Sequence, residues 1–131
     1  MAIVPISQQF FHLSTSNGVN TYVVGAGDGT NVSTLAIHIS DTGSLSGSIT
    51  VKARSLAQQA GVDAAVFQPI VYRKLYLNGA VGDGSLVSTA ITTTSIILVP
   101  CAGLQIALDV TALASGTATV YTMPCAGPSV I

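Results

Sequence analysis

Residues 100–127 read PCAGLQIALDVTALASGTATVYTMPCAG, and this stretch decides the fold class. Large apolar side chains alternate with smaller or polar ones over residues 104–110, which is the period of two typical of a strand with one buried face. Residues 116–123 are rich in threonine and also favour a strand. Together the two strands predict a terminal hairpin, in which Cys101 lies opposite Cys125. The two Pro-Cys-Ala-Gly tetrads would then meet at its open end.

The composition favours strands along the rest of the chain. The 131 residues are 49% hydrophobic but only 7% charged, against roughly 25% in a typical soluble domain. Serine, threonine, glycine and alanine replace the missing charge, and neither tryptophan nor glutamate occurs. We therefore predict one all-β domain over residues 1–131, a single two-sheet β-sandwich of about eight to nine short strands, either jelly-roll or immunoglobulin-like. Residues 1–9 and 124–131 are candidate extended arms.

Several strands can be placed by their alternation. Residues 33–39 and 48–55 have one apolar face each, which in the second run consists of Ile49, Val51 and Ala53. An Asn17-Gly18 turn predicts a hairpin between the first two strands of the chain. Residues 55–66 predict a long loop that holds at most one helical turn.

The charge balance excludes some partners. The net charge is −1, with four basic residues, too few to neutralise the roughly six to ten phosphates of a DNA footprint, so we expect no nucleic-acid partner. No apolar run reaches the roughly 20 residues of a membrane span, and the first residues lack the features of a signal peptide. The expectation is a protein made in the cytoplasm, with no membrane partner, whose low charge protects it poorly against self-association.

The residues that could take part in catalysis or bind a metal do not form the pattern of a catalytic site. His12 and His38 are the only histidines, and no Gly-x-Ser-x-Gly elbow accompanies them. A set of these histidines with Cys101 and Cys125 lacks the spacing of a zinc site. We therefore expect no enzyme activity, no metal, no cofactor and no small-molecule substrate. The two cysteines are either buried thiols or a cross-hairpin pair able to form a disulfide after release into an oxidising medium.

One concentrated polar and aromatic patch occurs in the strand of residues 67–77. Tyr72, Arg73 and Tyr76 lie within five residues of one another, next to Lys74. Such a patch is either a solvated strand face or a contact surface, since tyrosine and arginine often anchor interfaces.

The order of these segments resembles small β-sandwich virion proteins of tailed bacteriophages. The likeness covers residues 44–123 and rests on four segments: SGSITV at 46–51, the strand at 71–77, VPCAGL at 99–104 and SGTATVY at 115–121. An Asp-Gly turn followed by tryptophan, which related sequences often carry after the first of these, is replaced here by KARSLAQQAG at 52–61.

The resemblance implies a structural virion protein, found in the virion after assembly. The first hypothesis is a head decoration or cement protein that binds the major capsid protein and copies of itself. Phe10 and Phe11, with Tyr72, Arg73 and Tyr76, are the candidate interface residues. The alternative is a tail, fibre or spike component that binds a host surface or carbohydrate, although three phenylalanines, four tyrosines and no tryptophan offer little for stacking sugars.

Overall fold

The computed structural model describes residues 9–13, 21–28, 32–41, 47–55, 67–111 and 118–125. These residues form eleven β-strands and no helix, so the prediction of an all-β fold is confirmed. The strands are β1 (Gln9–Leu13), β2 (Thr21–Ala26), β3 (Thr34–Asp41), β4 (Ser48–Ser55), β5 (Gln68–Pro69), β6 (Tyr72–Leu77), β7 (Ala80–Val81), β8 (Leu86–Val87), β9 (Ser95–Pro100), β10 (Leu104–Thr111) and β11 (Ala118–Cys125).

The strands form two sheets that pack as a sandwich. The larger sheet has seven strands in the order β1-β11-β3-β9-β6-β7, with β8 also paired to β6. The smaller sheet has four strands in the order β2-β10-β4-β5. The predicted number of eight to nine strands is exceeded because β5, β7 and β8, of two residues each, are added to eight longer strands.

The pairing of the strands is nested, and this resolves the topology. β1 pairs with β11, β2 with β10, β3 with β9 and β4 with β5, all antiparallel. The chain is therefore one long antiparallel ribbon wound into two sheets, which is a jelly roll and not an immunoglobulin-like sandwich. β6, β7 and β8 lie between β5 and β9 in the chain and widen the larger sheet.

The core lies between the inward faces of the two sheets. In β3 and β4, every second residue is buried as the alternation predicts, so their inward faces are confirmed. In β10, Ile106, Leu108 and Val110 are buried on the inward face, and Ala107 between them is buried as well. The largest fully buried side chains are Tyr72, Leu35, Ile37, Ile39, Ile49, Ile91, Ile97, Ile106, Leu108, Val24 and Val99.

The predicted terminal hairpin is wrong. β10 is hydrogen-bonded to β2 and β4 in the smaller sheet, whereas β11 lies between β1 and β3 in the larger one. Both strands have one core face, and that pattern is equally satisfied when consecutive strands lie in opposite sheets. The predicted hairpin between the first two strands fails for the same reason, since β1 and β2 belong to different sheets.

The β6–β7 connection is a tight turn. Asn78 and Gly79 have φ angles of 52° and 84°, as the two central residues of a type I′ turn require. The Asn78 side chain accepts the Thr92 N–H at 2.8 Å and donates to the Ala90 carbonyl at 3.1 Å. The turn is thereby tied to the loop that precedes β9.

Some predictions lie outside the described residues. These are the Asn17-Gly18 turn, most of the arms predicted at residues 1–9 and 124–131, and most of the loop predicted at residues 55–66. Of the residues predicted in the arms, Gln9 begins β1, and Pro124 and Cys125 end β11. Ser55 of the predicted loop ends β4. The backbone of β1 is described, but the side chains of Phe10 and Phe11 are not.

Candidate interaction face

The outward face of the larger sheet carries two rows of apolar side chains across β9, β3 and β11. The register places Ile96, His38 and Tyr121 in one row, and Leu98, Ala36 and Met123 in the next. We call these six residues the apolar outer face. Ile96, Tyr121 and Met123 are 38%, 40% and 38% exposed, large fractions for apolar side chains in the middle of a sheet.

A shallow depression lies within this face. Its lining includes Ala36, His38, Ile96, Tyr121 and Met123. Ala36 is small and lies between Leu98 and Met123 on the neighbouring strands, so larger side chains rise on both sides of it. The His38 and Tyr121 rings are 5.9 Å apart between centroids, at 34° to each other. The depression therefore offers an apolar floor beside a pair of rings.

The apolar outer face has little charge of its own. Among the described residues of β3, β9 and β11, none at an outward position carries a permanent charge. Arg73 lies beyond Leu98 on β6, and its Nη1 donates to the Gly84 carbonyl at 2.8 Å. A partner for this face thus needs apolar contact area more than opposite charge.

The outward face of the smaller sheet is different in kind. Lys52 Nζ lies 2.6 Å from Asp109 Oδ2, and Arg54 Nε donates to Gln105 Oε1 at 2.6 Å. The Arg54 guanidinium also lies over the Phe67 ring, 4.7 Å from its centroid. These groups satisfy one another and cover the sheet, as expected of a face that meets water.

The predicted patch on β6 is divided between two faces. Tyr72 is 1% exposed in the core, where its hydroxyl donates to the Thr89 carbonyl, so its prediction as an interface residue is wrong. Burial raises the pKa of this phenol. A bulge between Lys74 and Tyr76 shifts the register, which places Tyr76 opposite Ile96, at the end of the row of Ile96, His38 and Tyr121. Arg73 and Tyr76 therefore border the apolar outer face, and Tyr72 does not.

The register of β1 separates positions 10 and 11. Phe10 pairs with Tyr121, which continues the Ile96–His38–Tyr121 row, whereas Phe11 pairs with the buried Val120. Phe10 and Tyr76 thus mark the two ends of one row across five strands.

The cysteines do not form the predicted cross-hairpin pair, because β3 lies between them. Both are free thiols; Cys101 is buried and Cys125 is half-buried. Burial, with smaller contributions from Cys125 and Asp28, raises the pKa of the Cys101 thiol to about 11. A thiol that stays protonated is a poor nucleophile, so Cys101 acts as a small apolar core residue.

No group of three or more histidine, cysteine, aspartate or glutamate residues that could hold a metal occurs among the described residues. Within them, no helix is long and apolar enough to cross a membrane.

Sequence reasoning missed the apolar outer face, although one signal for it was present. Within the run SIILVP of β9, the four residues 96–99 are apolar at consecutive positions, so both faces of the strand are apolar. A strand with only one buried face would alternate, and the loss of alternation indicates a second covered face.

Comparison with known proteins gives a fold relationship. No protein-family model matches the chain, and no curated protein matches it. The crystal structure of SPBc2 prophage-derived protein YomS is similar, with a TM-score of 0.57 at 18% identity over 95% of this chain and 97% of that one. At this identity the likeness shows a shared fold, which agrees with the predicted two-sheet sandwich.

Proposed function

We propose that the chain is a structural subunit of a phage virion, of the head decoration or cement type, which binds the capsid through its apolar outer face. The observation that carries the proposal is the exposure of Ile96, Tyr121 and Met123 on a sheet face without permanent charge. Contiguous exposed apolar surface marks a site of protein contact.

The remaining support comes from composition and fold. A subunit that is docked in a particle needs few surface charges, and only 7% of this chain is charged. The fold relationship to a prophage-derived protein agrees with a phage origin. The polar face of the smaller sheet, with its Lys52–Asp109 ion pair, would then face solvent.

A tail, fibre or spike component that binds carbohydrate is the second candidate. The His38–Tyr121 ring pair beside a depression is the observation in its favour, since sugars stack on exposed rings. Sugar recognition also needs polar groups that converge on the ligand. The apolar lining favours a protein partner instead.

The test is binding of the purified chain to particles of the phage that encodes it, with tailless heads and isolated tails assayed separately by co-sedimentation. We expect binding to heads. Ile96→Lys and Met123→Lys should each weaken it roughly tenfold or more, because each places a charge in an apolar contact. Val23→Lys is the matched control, since Val23 is 44% exposed at an outward position of the smaller sheet.

Each result discriminates between the candidates. Binding to heads that the two lysine variants lose and the control keeps supports the decoration role. Binding to tails, or to glycans on an array, supports the second candidate. Binding to neither particle and to no glycan would overturn both.

A further inference from the structure

The edge strands of the two sheets differ in length and composition between the two sides of the sandwich. On one side the smaller sheet ends in β5, which has two residues and contains Pro69. The larger sheet ends there in β7 and β8, also of two residues each. Short strands and proline prevent another strand from adding to an edge.

The loop between β7 and β8 interrupts the same edge. The Gly82 N–H donates to the Leu75 carbonyl, and the Gly84 N–H donates to the Lys74 carbonyl, each at 2.8 Å. These bonds use backbone groups of β6 within the chain, so a further strand would find no continuous ladder there.

On the other side the larger sheet ends in β1, which lacks these devices. β1 has five residues, QFFHL, with no proline and no lysine, arginine, aspartate or glutamate. It pairs with β11 in an unbroken register from Gln9–Thr122 to Leu13–Ala118. No other strand of the described chain pairs with its second edge. An edge strand without a bulge, a proline or a permanently charged side chain is a template for another strand.

We propose that β1 pairs antiparallel with β1 of a second copy, about a two-fold axis, to join the two larger sheets. Antiparallel pairing of a strand with itself is self-complementary, as an isologous interface requires. A second copy also brings no lysine, arginine, aspartate or glutamate to the pairing, and at a net charge of −1 per chain the two copies repel each other weakly.

The geometry of a continuous sheet sets the register. Residues directly opposite each other point to the same face, so residues at outward positions must pair with one another. Full overlap of the five residues places Phe11 opposite Phe11 and Phe10 opposite His12 of the second copy. The apolar outer faces of both copies then lie on the same side of one continuous sheet.

The test uses the full chain and measures first its mass in solution and then the register of the β1–β1 pairing. Light scattering should give a dimer at about 0.1 mM, a concentration at which even weak specific contacts form. Phe10→Lys should raise the dissociation constant roughly tenfold or more, because it places like charges on neighbouring strands. Val81→Lys, on the opposite edge at a position that is 85% exposed, should leave it unchanged.

Cysteine pairs report the register directly. In a Cys125→Ser background, Phe10→Cys and His12→Cys should each cross-link slowly alone and at least about tenfold faster when the two proteins are mixed, since only the mixture places two thiols at the distance of a disulfide. Both positions are outward by register, opposite Tyr121 and Thr119, so circular dichroism should show an unchanged fold.

A monomer at that concentration overturns the proposal, and so does a dimer whose mixed cross-link is no faster than the single ones. The proposal is independent of the proposed function, because a dimer that does not bind heads and a monomer that does bind heads are distinguishable results.

Discussion

Cys101 and Cys125 flank Ser33 from opposite sides. The Cys101 N–H donates to the Ser33 carbonyl at 3.0 Å, and the Ser33 N–H donates to the Cys125 carbonyl at 3.1 Å. The Pro-Cys pairs at residues 100–101 and 124–125 therefore do lie at one end of the larger sheet, but β3 separates them.

The first prediction concerns thiol reactivity. We expect one thiol to react with Ellman's reagent in the native protein and two in denaturant, because Cys125 is half-buried and Cys101 is buried. Cys125→Ser should abolish the native reaction. Absence of titratable thiols in freshly denatured, unreduced protein would contradict the arrangement, since it would indicate a disulfide.

A second prediction concerns stability at high pH. The pKa of Cys101 is raised to about 11 by burial, whereas an unfolded thiol titrates at about 8.5. The thiol thus loses its proton in the unfolded state first. Its contribution to the free energy of unfolding is therefore complete below about pH 8.5 and is lost as the pH rises through 11. Urea unfolding between about pH 8 and pH 10.5 should show a larger loss of stability in the wild type than in Cys101→Ala. Equal losses in both proteins would contradict it.

Gly27 is predicted to tolerate no side chain. A methyl group there would lie 2.7 Å from Cys101 Sγ and 2.8 Å from the Val32 carbonyl oxygen, and closer still to the Cys101 carbonyl oxygen. Because two of these atoms belong to the backbone, Gly27→Ala should lower the free energy of unfolding by about 2–3 kcal/mol. Gly25→Ala is the control: its nearest neighbours are the Leu35 methyl groups, which can rotate away. A similar loss for both variants would refute the assignment.

Asn78 is expected to stabilise the β6–β7 turn in two ways. Its side chain bonds Thr92 and Ala90, and its φ of 52° disfavours most residues. Asn78→Ala removes the bonds and adds backbone strain, so we expect a loss of about 2 kcal/mol in urea unfolding. Asn78→Gly removes only the bonds and should cost about 1 kcal/mol. The order of the two variants is the decisive result.

Neighbouring isoleucines of β9 provide a further test of the sheet orientation. Ile97 is fully buried and Ile96 is 38% exposed. Ile97→Ala should therefore cost about 2–5 kcal/mol of unfolding free energy through the cavity it leaves, and Ile96→Ala about 1 kcal/mol or less. The reverse order would mean that the face assigned to the partner is in fact the core.

The sequence predicted strand faces better than strand partners. Alternation is local, so the inward residues of β4, Ile49, Val51 and Ala53, could be identified without knowing what they contact. Pairing is not local: β11 finds its partner in β1, at the other end of the described chain, and nothing in either pattern distinguishes that partner from β10. The nested topology therefore required the structure.

Only a few residues around the apolar outer face could be predicted from the sequence. The chemistry of Tyr76 and Arg73 makes them candidate contact residues, and both border the apolar outer face. The bulge before Tyr76 brings Tyr76 onto the same face as Arg73, whereas Tyr72, which precedes the bulge and is next to Arg73, faces the core. Met123 and Ala36 gave no signal of their own, since their significance depends on neighbours contributed by other strands.

The nested pairing also has a kinetic consequence. Three of its four ladders join segments that are distant in the chain, and the outermost one joins residue 9 to residue 122. Folds dominated by such contacts fold slowly for their size, because loop closure precedes the contacts that compensate for it. During synthesis, β1 emerges from the ribosome long before β11, so its partner strand in the larger sheet is not yet available when β1 appears.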